Sequence, residues 1–227
     1  MKVLIFGATG MVGQGVLRES LLDSDVERVA TVGRTATGAQ NAKLMEITVK
    51  DVYNYAPIEA QLRGFDACFF CIGVASSGMK EADYHRVTYD LTLAAAQTLA
   101  PLNPQMTFIY VSGSGTDSSE QGRMMWARVK GKTENALLRL PFKAAYMFRP
   151  GFIQPLHGIR SKTPLYRRFY AITNWLFPLF RRLLPSQILT TEELGRAMLI
   201  AAKNGAVMAT GSAALIVSSP LPVGTRS

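Results

Sequence analysis

The sequence predicts an α/β protein with a doubly wound parallel sheet and a small helical cap towards its C-terminal end. A short apolar run over 3–6 passes directly into a glycine-rich turn, and a helical pattern of apolar residues follows it. Further apolar runs alternate with helical patterns, which is the arrangement that builds a parallel sheet. The chain has 227 residues, of which 48% are hydrophobic and 18% are charged, so it can bury one full core. We therefore predict a single domain over 1–227, in which 151–189 form the cap.

The glycine-rich turn has the spacing G-x-x-G-x-x-G and is typical of a Rossmann-type unit. In such a unit the first glycine allows a tight turn, the second lets a phosphate approach the backbone, and the third lets the helix pack on the strand. The helix over 11–22 would point the partial positive charge of its N-terminus at that phosphate. An ordinary glycine-rich turn between a strand and a helix is the alternative. We assign these turn residues to dinucleotide binding: Gly7, Thr9, Gly10, Met11, Val12 and Gly13.

The second predicted strand covers 28–33, and Arg34 follows it at once. In NAD-binding units this position, about 20 residues beyond the glycines, carries an acidic residue that binds the ribose 2′-hydroxyl. No acidic residue lies between Val29 and Gln40, and a guanidinium would instead pair with a 2′-phosphate. The alternative is an arginine that meets only solvent. The sequence therefore favours NADP(H) over NAD(H) as cofactor. Two nearby hydroxyl groups could add donors: Thr35 and Thr37.

The later elements continue the same alternation. The strands are predicted over 43–49, 66–73, 106–112 and 143–148, and the helices between them over 82–99 and 124–140. Thr190 and Glu193 form a capping-box pattern that predicts the start of a final helix, and Gly205 predicts its end.

The carboxyl ends of the predicted strands form the edge at which a nucleotide binds in a doubly wound sheet. Asp51 comes just after the third strand, and Gly73 ends the fourth. We assign these edge residues to cofactor binding: Asp51, Val52, Cys71, Gly73 and Pro150.

The two cysteines form a C-x-x-C pattern within a predicted buried strand. Residues three apart in a strand point to opposite faces, so Cys68 and Cys71 are predicted to be buried, reduced thiols rather than a zinc site or a disulfide. The two histidines, His85 and His157, are far apart in sequence and have no acidic cluster beside them. No metal site is therefore predicted.

Several motifs together resemble the atypical and extended short-chain dehydrogenase/reductases, and more narrowly the branch related to the Tat-interacting oxidoreductase. The resemblance extends over essentially the whole chain and implies a nicotinamide-dependent oxidoreductase or an epimerase-like enzyme. It rests on the glycine motif over 7–13, on Arg34, and on the stretches 110–114, 129–134 and 148–151.

The resemblance also implies a catalytic group, which is a serine after the fifth strand and a Tyr-x-x-x-Lys pair on the next helix. Ser112 matches the serine, with Ser114 as a second candidate, and Lys130 matches the lysine that binds the nicotinamide ribose. The tyrosine position is occupied by Trp126, whose indole donates a hydrogen bond but does not titrate. Two hypotheses remain open: an NADP(H)-dependent enzyme with an altered proton donor, or an inactive NADP(H)-binding regulator or redox sensor.

The net charge of +9 is concentrated in one part of the chain. Residues 135–191 contain nine basic residues and no acidic one. An anionic small-molecule substrate, an anionic membrane surface that meets 164–185, or a helical lobe with solvated arginines would each account for it. Nucleic acid is not predicted as a partner because no reading motif is present. No signal peptide or membrane span is visible, so we predict a cytoplasmic protein, with peripheral membrane contact as the alternative and the oligomeric state open.

Overall fold

The computed structural model describes residues 1–159, 188–205 and 214–218, and in these ranges the predicted doubly wound sheet is confirmed. The strands follow the chain in this order: β1 (Lys2–Phe6), β2 (Arg28–Gly33), β3 (Leu44–Thr48), β4 (Ala67–Phe70), β5 (Thr107–Val111), β6 (Ala144–Arg149), β7 (Phe152–Gln154), β8 (Ile188–Thr190) and β9 (Ala214–Ser218).

Helices connect these strands at nearly the predicted positions. The helical elements are α1 (Met11–Leu22), a 3₁₀ helix (Ala56–Leu62), α2 (Glu81–His85), a π-helical turn (Arg86–Asp90), α3 (Leu91–Leu102), α4 (Met125–Leu138) and α5 (Thr191–Asn204). The helix predicted over 82–99 is thus a longer stretch, interrupted by the π-helical turn. The predicted capping box of α5 is present, because the Thr190 side chain accepts from the Glu193 N–H and the Glu193 side chain accepts from the Thr190 N–H.

The main sheet has the strand order β3-β2-β1-β4-β5-β6-β9. The first six strands of this order are parallel. The chain crosses from the edge strand β3 back to β4, so the direction of strand addition reverses between the neighbours β1 and β4. Strand β9, which was not predicted, pairs antiparallel with β6. Strands β7 and β8 form a separate parallel pair that was also not predicted. The topological switch therefore lies beside β1, where doubly wound proteins bind nucleotides.

The two faces of the sheet carry separate hydrophobic clusters, as a doubly wound fold requires. On one face α3 and α4 pack on a cluster that includes Phe70 and Phe108, and on the other α1 and α5 pack on one that includes Ile5 and Phe69. The cysteines follow this division, because Cys68 belongs to the first cluster and Cys71 packs against the second. The predicted opposite orientation of the two thiols is confirmed, and both cysteines are free.

Helices α1 and α5 pack close together through glycines. A Cβ at Gly15 would lie 2.7 Å from Cβ of Thr191, and one at Gly195 would lie 2.9 Å from Cγ of Glu19. This close approach holds the N-terminal half of α1 against the sheet. It therefore fixes the N-terminal end of α1, which directly follows the glycine-rich turn.

The predicted helical cap falls almost entirely outside the residues that the structure describes. Of the predicted span 151–189, only 151–159 and the first two residues of the short strand β8 belong to the described ranges. The segment 164–185 and six of the nine clustered basic residues lie outside them: Arg160, Lys162, Arg167, Arg168, Arg181 and Arg182.

Candidate functional site

The glycine-rich turn joins β1 to α1 at the carboxyl edge of the sheet. Gly7 has φ +78°, a backbone conformation that glycine adopts without strain, and its carbonyl accepts the N–H of Gly10 at 2.9 Å. Gly10 is the N-cap of α1 and has no side-chain cap, and no acidic residue lies in the first helical turn. Helix N-termini leave N–H groups without intrahelical partners. The turn therefore presents backbone donors and a positive helix end to an anionic group.

The backbone around the turn is packed too closely for side chains at its glycines. A Cβ at Gly10 would lie 3.3 Å from the Gly7 oxygen, and one at Gly13 would lie only 2.1 Å from it. A Cβ at Gly7 would lie 2.8 Å from the backbone nitrogen of Ile72. Side chains at these glycines would therefore push the helix away from the strand. We call the turn formed by Gly7, Gly10 and Gly13 the glycine cradle. The half-buried residues Thr9, Met11 and Val12 complete the turn.

The cofactor residues predicted at the carboxyl edge lie where expected relative to the strands. The Cys71 N–H donates to the Phe6 carbonyl at 2.9 Å, which brings the end of β4 against the glycine-rich turn. Burial raises the pKa of the Cys71 thiol, so it is not a reactive thiolate. Asp51 is exposed and its Oδ1 accepts the Tyr53 N–H at 2.9 Å, which shapes the loop beyond β3. The other edge residues are half-buried Val52, exposed Gly73 and buried Pro150.

Arg34 is exposed at the end of β2, beside a shallow depression lined by Gly7, Thr9, Thr31 and Thr35 among others. Within the described parts of the chain, no ion pair joins Arg34 to an acidic side chain. Its guanidinium is thus available to an anion at this corner of the site.

Sequence reasoning missed an acidic residue that the fold brings to the same corner. Glu46 on β3 is aligned with Thr31 on β2, and its Oε1 accepts the Thr37 N–H at 2.5 Å as well as the Thr37 hydroxyl. These hydrogen bonds from Thr37 lower the pKa of the Glu46 carboxyl, so the group is ionised at neutral pH. Glu46 lies twelve residues beyond Arg34 in sequence, and the pairing of β2 with β3 brings it to the loop that follows Arg34.

The predicted catalytic serine is buried and already hydrogen-bonded. Ser112 directly follows β5, and its Oγ lies 3.0 Å from Oγ1 of Thr116. The Thr116 hydroxyl donates to the Gly113 carbonyl at 2.8 Å, so Ser112 is the donor in the bond between the two hydroxyls. The proton of Ser112 therefore points to Thr116. Exposed Ser114 donates its N–H to the Pro150 carbonyl at 2.9 Å, which ties the loop after β5 to the loop after β6.

Trp126 and Lys130 lie one helical turn apart on α4, as their spacing predicts. The Trp126 ring packs against Gly115, whose added Cβ would lie 3.2 Å from the ring. Lys130 is half-buried, and its Nζ lies 5.3 Å from the centre of the Tyr110 ring. Burial lowers the pKa of Lys130 to about 8, and the charge of Glu134 opposes that shift. Lys130 is thus a partly desolvated cation above an aromatic face.

Glu134 lies one helical turn after Lys130 on α4, and its carboxylate is bound by a cation from β6. It is 2% exposed and makes a bidentate pair with Arg149, whose Nε lies 3.0 Å from Oε1 and whose Nη2 lies 2.5 Å from Oε2. Arg149 also donates to Ser118 at 2.5 Å. A further close contact lies on the same side, since a Cβ at Gly131 would lie 1.7 Å from the Asp117 oxygen. The loop between β5 and α4 is therefore fixed against α4 and β6.

Comparison with curated proteins finds relatives that share somewhat more than a quarter of the aligned residues, while no family model matches. Protein FMP52-1, mitochondrial, of Scheffersomyces stipitis is 27% identical over 157 residues, which are 67% of this chain and 67% of that protein. Protein HTATIP2 of Rattus norvegicus is 28% identical over 157 residues, which are 67% of this chain and 62% of that protein. The chain thus matches about two thirds of the length of these relatives.

Solved structures with the same fold include enzymes crystallised with nicotinamide dinucleotides. The Bordetella bronchiseptica enzyme WbmF in complex with NAD+ has a TM-score of 0.65 at 14% identity, over 90% of this chain and 70% of that one. The UDP-glucuronic acid 4-epimerase of Bacillus cereus, in complex with UDP-glucuronic acid and NAD, has a TM-score of 0.63 at 15% identity, over 90% and 74% of the two chains. An oxidoreductase of the short-chain dehydrogenase/reductase family from Burkholderia thailandensis has a TM-score of 0.63 at 16% identity, over 90% and 86%.

These comparisons confirm the resemblance inferred from the motifs. The fold is that of the short-chain dehydrogenase/reductases and epimerases, and the curated relatives include the Tat-interacting branch.

The predicted cytoplasmic location is contradicted. Several fungal relatives are named as mitochondrial proteins, including those of Scheffersomyces stipitis, Emericella nidulans and Aspergillus terreus. The prediction rested on the lack of a visible signal peptide or membrane span, and neither feature identifies the compartment in which a protein resides. No helix in the ranges that the structure describes is long and apolar enough to cross a membrane.

Proposed function

Since the fold is that of the short-chain dehydrogenase/reductases, we propose that this protein binds NADP(H) and acts as a carbonyl or alcohol oxidoreductase with an altered proton donor. The proposal rests on the start of α1, which has no side-chain cap, and on Arg34 at the next strand end, which forms no ion pair with any residue that the structure describes. The turn fits the pyrophosphate, and Arg34 fits a 2′-phosphate through charge-assisted hydrogen bonds. Solved neighbours crystallised with NAD support a nicotinamide dinucleotide, and Arg34 supports its phosphorylated form.

Lys130 is the residue that would hold the nicotinamide end of the cofactor. Its Nζ has no ion-pair partner in the described residues, because Glu134 is occupied by Arg149. It can therefore donate to ribose hydroxyls and place a positive charge beside the reacting carbonyl oxygen. The bound nicotinamide would supply or accept the hydride.

The proton donor has to differ from that of the family, because Trp126 does not titrate. Ser112 already donates to Thr116, so it has to rotate before it can donate to a substrate oxygen. Lys130 carries a proton at neutral pH and gives it up near pH 8. We propose that the ammonium group of Lys130 provides the proton, directly or through a water molecule, and takes another from solvent afterwards.

The same features support a second candidate function. A phenol is missing at position 126 and the Ser112 hydroxyl is engaged, which is what an inactive binding protein would show. In that case the protein would be a regulator or redox sensor that binds NADP(H) without turning over a substrate.

A substrate screen of the natural protein and of two variants at position 126 distinguishes these functions. NADPH oxidation is followed at the nicotinamide absorbance with a panel of aldehydes, ketones and quinones, anionic ones included. We expect slow turnover by the natural protein and a higher rate for Trp126→Tyr, because the phenol returns to the face of α4 that carries Lys130. Trp126→Phe is the matched control, since it supplies a ring without a hydroxyl and should not raise the rate. Background rates for the natural protein and for Trp126→Tyr with every compound would refute the enzyme and favour the sensor.

A further inference from the structure

The loop that begins at Arg34 is held by a residue from a different strand. Glu46 on β3 accepts the backbone N–H of Thr37 at 2.5 Å and the hydroxyl of the same residue with the same oxygen, Oε1. The Thr37 hydroxyl oxygen in turn accepts the N–H of Ala39 at 3.2 Å. We call these contacts between Glu46 and Thr37 the β3 clasp.

The β3 clasp fixes the loop at its middle while the sheet fixes its start. The Gly33 carbonyl accepts the Val49 N–H at 2.9 Å, so the residue before Arg34 is tied to the strand pair. The clasp ties down the third residue after Arg34. Between these two anchors the path of the backbone is short and constrained, which limits the directions that the exposed Arg34 side chain can take.

The clasp also decides where a negative charge points. Glu46 is aligned with Thr31, which lines the depression beside Gly7 and Thr9. A free carboxylate at this place could accept the 2′-hydroxyl of an unphosphorylated ribose and would repel a 2′-phosphate. Because Thr37 donates twice to Glu46, the carboxylate is directed to the loop. A carboxylate that could favour NAD(H) is thereby bound to Thr37, in the loop that begins at the arginine that favours NADP(H).

We propose that Glu46 is a specificity-determining positioning residue, which through Thr37 sets the preference of this site for NADP(H) over NAD(H). The inference rests on the proposed binding of NADP(H) by Arg34. It adds that the preference requires Arg34 to be held by the β3 clasp, and that releasing the clasp turns the site towards NAD(H).

The test is calorimetric binding of NADPH and of NADH to the 227-residue chain and its variants, so that no substrate is needed. Glu46→Leu removes the clasp, and we expect roughly tenfold weaker NADPH binding, the equivalent of one hydrogen bond to a charged group, with NADH binding nearly unchanged. Thr37→Val keeps the backbone N–H but frees part of the carboxylate, so it should weaken NADPH binding less and strengthen NADH binding. Glu46→Gln is the matched control, because its amide oxygen still accepts from Thr37 and the NADPH preference should persist.

A double variant distinguishes positioning from general damage to the fold. If Glu46 acts through Arg34, Glu46→Leu should have no further effect on NADPH binding in the Arg34→Ala background. The role of the clasp would be overturned if Glu46→Leu and Thr37→Val each lost affinity for NADPH and for NADH equally. It would also be overturned if Glu46→Gln weakened NADPH binding as much as Glu46→Leu does. Thr37→Val carries the test if Glu46→Leu does not fold.

The possible failures are separable. A natural protein that binds NADPH and NADH equally refutes the proposed cofactor and with it the clasp. If the natural protein prefers NADPH, Arg34→Ala abolishes the preference and neither clasp variant changes it, the cofactor proposal stands and the inference about Glu46 is wrong.

Discussion

The buried pair between Arg149 and Glu134 gives a prediction whose size follows from the structure. We expect Arg149→Met to destabilise the protein by about 3–4 kcal/mol at pH 7, because it leaves a buried carboxylate without its cation. Three contacts of 2.5–3.2 Å join the guanidinium to Glu134, which is 2% exposed, so water cannot replace them without opening the helix. Methionine fills much of the same volume, so packing contributes little to the loss.

The expected magnitude has a ceiling that depends on pH. A buried carboxylate without a partner can lose its charge by binding a proton, which removes the cost of burying that charge. For an ordinary glutamate, binding the proton costs about 3.7 kcal/mol at pH 7 and about 1 kcal/mol at pH 5. The variant would then bind one more proton when folded than when unfolded between these values. Its stability relative to the natural protein should therefore fall as the pH rises, with a limiting slope of about 1.4 kcal/mol per pH unit.

The assay is urea unfolding followed by circular dichroism at pH 5, 6 and 7. The exposed pair of Arg63 with Glu59, whose side chains are 58% and 45% exposed, provides the control, and Arg63→Met should change stability by less than about 1 kcal/mol at each pH. The double variant Arg149→Met with Glu134→Gln should regain part of the loss and show no such slope. A loss below about 1 kcal/mol at pH 7, or one that does not depend on pH, would refute the buried, charged pair.

Two further predictions concern the glycine cradle and Lys130. Gly13→Ala should lower the free energy of unfolding by about 1–3 kcal/mol, because its Cβ would lie 2.1 Å from the Gly7 oxygen. Gly113→Ala is the control, since nothing lies within 4 Å of its Cβ, and it should change the free energy of unfolding by less than about 0.5 kcal/mol. Similar urea midpoints for the two variants would contradict the close approach. Burial lowers the pKa of Lys130 to about 8 in the folded protein, while an unfolded lysine titrates near 10.4, so the unfolded chain holds the extra proton between these values and stability should rise with pH there. In urea unfolding, the free energy of unfolding of the natural protein relative to that of Lys130→Met should rise between pH 8 and pH 10 by at most about 1.4 kcal/mol per pH unit. If the two proteins instead show parallel pH profiles, Lys130 is solvated.

Features with local sequence signals were predicted well. The glycine spacing fixes the turn between β1 and α1, and the Thr190–Glu193 capping box marks the start of α5, because each depends on residues within one or two turns of each other. The alternation of apolar runs with helical patterns likewise predicts the parallel, doubly wound sheet.

Features that depend on pairing between distant segments were not predicted. Glu46 reaches Thr37 only because β3 pairs with β2 in one register, and a shift of one residue would have turned its carboxylate to the other face. Glu134 lies one helical turn from Lys130 in the local sequence, yet the cation that binds its carboxylate is fifteen residues away on β6. Strand β9 pairs antiparallel with β6, and nothing in the local sequence indicates this pairing or its direction. In each case the deciding contact is between elements and has no signature in the local sequence.

The central claim is that the nucleotide corner of this fold selects NADP(H) through Arg34. Calorimetric titration of the natural chain with NADPH and with NADH, repeated for Arg34→Ala, tests it most directly. We predict that NADPH binds at least about tenfold more tightly than NADH, and that Arg34→Ala removes most of this difference by weakening NADPH alone, as the loss of a charge-assisted contact to the 2′-phosphate requires. Equal affinities for the two dinucleotides in the natural chain, or a preference for NADPH that survives Arg34→Ala, would contradict it.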